Sequence, residues 1–303
     1  MKKRIKIFLF FSLLILFLSA CSKTSKDSTF SIQFIDVGQG DSALVECDGH
    51  YMLIDGGDKK HGENVYNALE ERQIRHLDIL AVSHFHRDHY AGLTTALANV
   101  SKIDLAISNT DSYDNGGGID EDEEGENDKT ERDLFSDFTR ELLRADASIE
   151  VPSEGRTYPL GSATVEVVSV SADQNNDSLV LLITYGKTKF LFTGDIEEKA
   201  QKDLSEDYKD KNGNDKGYKL DLVKAPHHGA YTGSLYAFYR TFKPAYVVIS
   251  VGKDNKYKHP NQKTLDLLSN KKSGWKPKVY RTDENGDIFV TSNGKKVSIK
   301  TSR

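Results

Sequence analysis

The chain reads as an α/β protein whose two sheets pack face to face between outer helices. Three observations lead there. It opens on short apolar runs parted by turn residues, the pattern of an antiparallel meander. Strand-like and helix-like runs then alternate, which lays helices on the face of a sheet. The second half repeats that order, so a second sheet is expected beside the first. No self-similarity at the period of about 20–50 residues typical of repeat folds is visible.

The elements follow in order. Phe30–Val37, Ala43–Cys47 and Tyr51–Asp55 are the opening strands, separated by Gly38-Gln39-Gly40-Asp41 and Asp48-Gly49-His50. Asn64–Ile74 carries apolar residues at helical spacing, and Leu77–Ser83 has the length and composition of a buried strand. Ala91–Val100 reads as a helix and Ile103–Ser108 as a strand. Asp111 to Glu131 breaks the pattern, with three glycines followed by a run of carboxylates. That segment is expected to be a solvated acidic insertion, since its spacing does not fit an EF-hand calcium loop. Leu134–Leu143 resumes helical periodicity, and strands follow at Thr164–Val170, Ser178–Tyr185 and Lys189–Thr193. A helix from Glu197, a strand at Leu220–Ala225, a helix at Leu235–Phe242 and a strand at Ala245–Val251 come next. A helix at Gln262–Leu268 precedes closing strands near Lys278–Arg281, Asp287–Thr291 and Lys296–Lys300.

At 303 residues with 37% hydrophobic and 10% aromatic content, the chain buries an ordinary core, which excludes disorder throughout. Its start is different in kind. Lys2, Lys3, Arg4 and Lys6 precede an apolar stretch, Ile7–Ala20, that is short for a membrane span and laid out as a secretory signal. The end of that stretch, Leu18-Ser19-Ala20-Cys21, resembles the lipobox of bacterial lipoproteins, which implies cleavage before Cys21 and a diacylglyceryl group on its sulfur. The alternative, an uncleaved anchor, also leaves the body of the protein outside the cytoplasm. The expected organisation is a signal peptide over 1–20, a lipidated tether over 21–29 and one folded domain over 30–303.

Lipidation would leave Cys47 alone, so no intramolecular disulfide is expected, and its alternating surroundings suit a buried structural thiol. Loss of the four N-terminal cations would take the formal net charge from −5 to −9, which argues against a non-specific DNA-coating protein. The charge is uneven, however. Residues 251–303 hold 13 Lys and Arg against 5 Asp and Glu, a basic stretch that suits either an anionic substrate or a solvated surface.

The chemistry concentrates at strand ends. His84-Phe85-His86-Arg87-Asp88-His89 sets four metal-ligand types within six residues directly after an apolar strand. Imidazole and carboxylate together suit divalent zinc at bond lengths near ~2 Å. In extended chain His84 and His86 project to one side, and Asp88 and His89 can turn toward a second position nearby. Asp55 ends the third strand and is followed by two glycines. Asp195 follows Phe190–Gly194, and His227 and His228 follow Asp221–Pro226. Asn175 and Asp177 precede the strand at Ser178. Each alone is weak, because a strand-end Asp is commonly a turn former. Their joint occurrence carries the weight, since loops held by a rigid frame are where sites assemble.

The order Asp55-Gly-Gly, His84-x-His86-x-Asp88-His89, Gly194-Asp195, His227 resembles the metallo-β-lactamase superfamily. More narrowly, Asp36-Val37-Gly38-Gln39-Gly40-Asp41-Ser42, Asn175-x-x-Ser178, Pro226-His227-His228-Gly229, Ser250-Val251-Gly252, His259-Pro260 and Asp283-Glu284-Asn285-Gly286 resemble the hydrolase domain of ComEC-type competence proteins. The likeness runs over about residues 30–300, without the membrane-spanning competence region of those proteins. It implies a four-layer αβ/βα sandwich with two divalent ions at one edge, zinc foremost and manganese also compatible. Carried over, His84 and His86 hold the first ion, Asp88, His89 and His227 the second, and Asp195 bridges both with its two oxygens. Asp55 orients the histidine loop from behind. None of the nine histidines lies between His89 and Asp195, where the superfamily draws a further ligand. Asn175 and Asp177 stand nearest in order, so the first site is expected to be incomplete.

The resemblance implies hydrolysis by a hydroxide generated between two ions about 3.5–4 Å apart. Asp88 would hold or receive its proton, while His228 and His259 would donate to the leaving oxygen or bind phosphate. For His259 the plainer reading is a histidine that merely precedes Pro260. The substrate class expected is a phosphodiester, such as DNA, a nucleotide or an envelope polymer. Two alternatives belong beside it. One is an envelope phosphoesterase, since the chain also resembles, more distantly, the catalytic module of teichoic-acid phosphorylcholine esterases. The other is a lipid-anchored binding protein that has lost catalysis.

Overall fold

The computed structural model of the protein describes residues 29–109, 131–170, 178–208, 218–270 and 275–303. The expected signal peptide, Cys21, nearly all of the acidic insertion, Asn175 and Asp177 lie outside the described residues.

Two mixed sheets face each other. The first runs β15-β14-β1-β2-β3-β4-β5-β6, built from β1 (Phe30–Phe34), β2 (Ala43–Cys47), β3 (His50–Ile54), β4 (His76–Val82), β5 (Lys102–Ser108) and β6 (Ser148–Glu150), with β14 (Ile288–Ser292) and β15 (Val297–Thr301). The second runs β13-β12-β11-β10-β9-β8-β7, from β7 (Thr157–Leu160), β8 (Ala163–Val170), β9 (Leu179–Tyr185), β10 (Thr188–Phe192), β11 (Leu222–Lys224), β12 (Tyr246–Ile249) and β13 (Lys278–Arg281). Each sheet is antiparallel at one side and parallel at the other: β3 through β6 are parallel, as are β10 through β13.

Period-two alternation builds the layers. Along β1 and β2, Phe30, Ile32, Phe34, Ala43, Val45 and Cys47 face the second sheet, where they meet Leu181, Ile183, Phe190 and Phe192. The outward residues Leu44, Leu53, Leu80 and Val82 pack under helices α1 (Gly62–Glu70), α2 (Arg87–Tyr90), α3 (Leu93–Ala96) and α4 (Glu131–Arg144). Val223, Val247 and Ile249 do the same beneath α5 (Glu198–Asp207), α6 (Tyr236–Phe242) and α7 (Gln262–Ser269). These three apolar layers make the four-layer sandwich that was expected. Cys47 is fully buried, with Ser162 Oγ at 3.6 Å, as its alternating surroundings foretold.

Three departures have physical causes. The helix expected over Ala91–Val100 is shortened to α3, and a separate turn of helix, α2, precedes it inside the ligand motif. Gly92 breaks them: its N–H donates to Gly57 O at 2.8 Å, and a side chain there would collide with Gly56 O. The short strands β6 and β7 lie at sheet edges, where little apolar pattern marks them. The closing hairpin β14–β15 leaves the second sheet and pairs with β1, so that Ile32 faces Val290 across the ladder.

Candidate metal centre

The carboxyl ends of β3, β4, β10, β11 and β12 open at one edge between the sheets. The register of β3 on β4 sets Ile54 beside Ala81, which brings the next residue, Asp55, to Ser83. Asp55 takes a left-handed backbone (φ 57°), and its side chain is fully engaged. Ser83 donates its N–H to Oδ1 at 2.7 Å and its hydroxyl to Oδ2 at 2.8 Å, while His89 Nδ1 lies 2.9 Å from Oδ2. With Nδ1 held there, Nε2 of His89 turns toward Asp195 Oδ2 at 3.3 Å and Asp88 Oδ1 at 3.8 Å. That nitrogen is buried and has no hydrogen-bond partner. His84 Nε2 and His86 Nδ1 face one another at 2.9 Å.

From the second sheet, Pro226–Gly229 forms a tight turn in which His227 and His228 are both left-handed (φ 47° and 50°). His228 is buried. Its Nδ1 lies 3.0 Å from Ser250 O, and its Nε2 lies 3.2 Å from Asp88 Oδ2 and 3.3 Å from Asp195 Oδ2, again without a hydrogen bond. His227 is 33% exposed, with Nδ1 3.2 Å from Glu197 Oε1 and Nε2 3.9 Å from Asp195 Oδ2. This corrects the expectation for the pair. The convergent histidine is His228, and His227 is the one that faces the opening.

Two residues that sequence reasoning passed over sit at the centre. Lys224, the last residue of β11, is buried and ion-paired with Asp41, and it donates to Gly194 O at 3.0 Å. A lysine inside the apolar run Leu222-Val223-Lys224-Ala225 was the available signal, because lysine is rarely fully buried unless paired. Asp41 ends the Gly38-Gln39-Gly40-Asp41 turn, where a side chain on Gly40 would collide with Asp88 O.

Charge is shared unevenly. Burial opposes ionisation of Asp195, but His228, His89 and Lys224 outweigh it and hold the carboxyl well below its ordinary value. Burial likewise disfavours the cationic forms of His89 and His228. Asp195, followed by Asp88 for His89 and by Asp41 for His228, overrides this and raises both well above theirs. His84 goes the other way, lowered by burial and by the neighbouring His89 and His86.

The atoms suit a divalent cation. His84–His89–Asp195, Asp88–His89–His228, Asp41–Asp195–His228 and Asp41–Asp55–His89 each bring three ligand atoms within 4.8 Å of one another. Two buried imidazole nitrogens aimed at carboxylates without a hydrogen bond fit the ligand set of a divalent ion. Above them opens a cleft of about 890 Å³ lined by His86, Asp88, His227, His259, Lys60 and Lys253. His259 meets His227 edge to face (5.6 Å between ring centres), and burial with the adjacent His228 and His227 pushes it down to about 4.

Fold and site together define a member of the metallo-beta-lactamase superfamily: the family profile matches residues 35–252, and the chain belongs to that family. Among individual proteins it is similar to ComE operon protein 3 of Bacillus subtilis, 28% identical over 279 residues that make up 85% of this chain and 32% of the relative. Competence protein ComA of Neisseria gonorrhoeae is 29% identical over 254 residues, 84% of this chain and 31% of the relative. The chain therefore spans about a third of the length of the curated relatives it matches, and the ComEC-type likeness read from the motifs holds. In fold it is similar to the metallo-beta-lactamase fold protein YhfI of Bacillus subtilis, with a TM-score of 0.51 at 11% identity, covering 87% of this chain and all of that one.

Proposed function

We propose that the chain is a metal-dependent phosphodiesterase tethered outside the cytoplasmic membrane through Cys21. The observation that carries the reading is the convergence of His89 Nε2, His228 Nε2, Asp88 and Asp195 at the floor of an open cleft. Asp88, His89 and His228 would hold one divalent ion, and His84 and His86 the other, with Asp195 between the two groups. When bound, the ions lower the pKa of coordinated water and neutralise charge on a phosphoryl group, zinc being the first choice and manganese the second.

The chain's own groups do the rest. Asp88 faces the cleft, where its carboxylate can accept a hydrogen bond from the attacking water and orient it. His228 has Nδ1 against Ser250 and Nε2 between two carboxylates, so the leaving-group role expected for it passes to His227. His259, kept neutral near pH 7, can donate its N–H but is a poor source of a full proton. Lys60 and Lys253 line the walls and suit an anionic polymer such as DNA, a nucleotide chain or an envelope phosphodiester.

The chain from Ser22, loaded with zinc or manganese, should cleave bis-p-nitrophenyl phosphate and plasmid DNA, and His86→Ala should abolish both. Turnover of p-nitrophenyl phosphorylcholine alone would favour an envelope ester, and metal uptake with silence on all three would favour a binding protein. Full-length chain carrying Cys21→Ser should leave the membrane fraction of the expressing bacterium; retention there would end the lipid-anchor part of the proposal.

A further inference from the structure

We infer that Lys224, braced by Asp41, is a positioning residue that takes one oxygen of Asp195 away from the metal-facing set. The inference rests on reading the site as a metal centre, and it concerns what Asp195 can present to it. Lys224 has its ammonium among three acceptors: the Asp41 carboxylate, Gly194 O at 3.0 Å and Asp195 Oδ1 at 3.4 Å. An ammonium has three N–H donors, so none is left over. Asp195 is also held from its backbone, where its N–H donates to Ser178 Oγ at 2.9 Å. The backbone is pinned and Oδ1 is turned to the ammonium, which together select one orientation of the carboxylate. Only Oδ2 faces the imidazoles, at 3.3 Å from both His89 Nε2 and His228 Nε2.

Asp41 ties this clamp to the rest of the centre. Its backbone N–H donates to Asp88 O at 3.1 Å, its Oδ1 lies 3.4 Å from His228 Nδ1, and its Oδ2 lies 3.7 Å from His89 Nδ1. A movement of Asp41 would therefore be felt by Lys224, by Asp88 and by two of the convergent histidines. On this inference Asp195 presents one oxygen, where the family resemblance implied two. Removing the ammonium would free Oδ1 to join the set and raise the number of oxygens available to a cation.

Cobalt(II) uptake by the whole chain separates this role from a merely structural one, because the visible bands of bound cobalt report the number and arrangement of its ligands. Wild-type protein, Lys224→Met and Asp41→Asn are compared for stoichiometry, affinity and absorption. The clamp predicts that Lys224→Met shifts the bands and weakens their intensity, with Asp41→Asn shifted the same way. A wild-type spectrum in a folded Lys224→Met, even with tighter binding as loss of a nearby cation alone would give, overturns the inference. If Lys224→Met does not fold, Lys224→Ala decides by the same criterion. Wild-type chain that takes up no cobalt, zinc or manganese brings down the metal-centre reading itself, a result distinct from unchanged spectra in the variants.

Discussion

A single side chain, Asp55, sets which nitrogen of His89 faces the cluster. Asp55→Asn keeps the shape but loses the carboxylate that holds Nδ1, and second-layer changes of this kind cost about 10–100-fold in metal affinity; competition against a chromogenic chelator measures it. His228 and His227 are expected to separate cleanly. His228→Ala should lower the bound-metal count by one, whereas His227→Ala should keep the metal and lower kcat by about 10²–10⁴, as element analysis beside steady-state kinetics would show.

The same residues dictate a pH response of the metal-free protein. His84, His86 and His259 have folded values below the ordinary 6.5, so the unfolded chain binds more protons and stability falls as the pH drops below that value. His89 and His228 have raised folded values, so their contribution is complete below 6.5 and is lost as the pH climbs through the folded values. Both trends place the maximum near pH 6.5, and thermal midpoints in chelator across pH 4–9 should be highest there. Bound metal displaces the protons on His89 and His228 and should move the maximum upward.

At the scale of elements, most of the fold was legible. Ile32, Phe34, Val45 and Met52 alternate with residues on the other face, and that period alone marks β1 to β3 as half of a sandwich. What escaped was set by tertiary contact. The break between α2 and α3 depends on Gly92 lying against Gly56, a contact between segments far apart in the chain. Gly92→Ala should cost about 1–3 kcal/mol from forced overpacking, read as a lower urea midpoint, and should disturb α2, which carries Asp88 and His89. Which of His227 and His228 points inward was hidden for a related reason. Two consecutive left-handed residues turn the rings to opposite sides, and the string Pro-His-His-Gly does not say which points inward. Asp41 and Lys224 pair across the centre of the molecule, which no local pattern announces, although a charged residue within an apolar strand was a visible anomaly.

For the whole molecule, the parallel halves of the two sheets deliver their carboxyl ends to one edge, so a cation there is bound by both sheets at once. Its removal should loosen the sandwich as a unit. A ligand present at about a thousand times its dissociation constant adds roughly 4 kcal/mol, so chelation should lower the thermal midpoint by about 10 °C for a domain of this size, measured by calorimetry with and without zinc. A midpoint that ignores the chelator would mean that the edge holds itself together without an ion.

The closing hairpin has a practical side. After β15 the chain reaches Arg303, which is ion-paired with Asp36 and lines the cleft. Any residue that follows Arg303, native or added, therefore starts beside that cleft. A purification tag placed there would compete with polymers for the opening while leaving small chromogenic esters less impeded, and could mimic a narrow specificity that belongs to the tag.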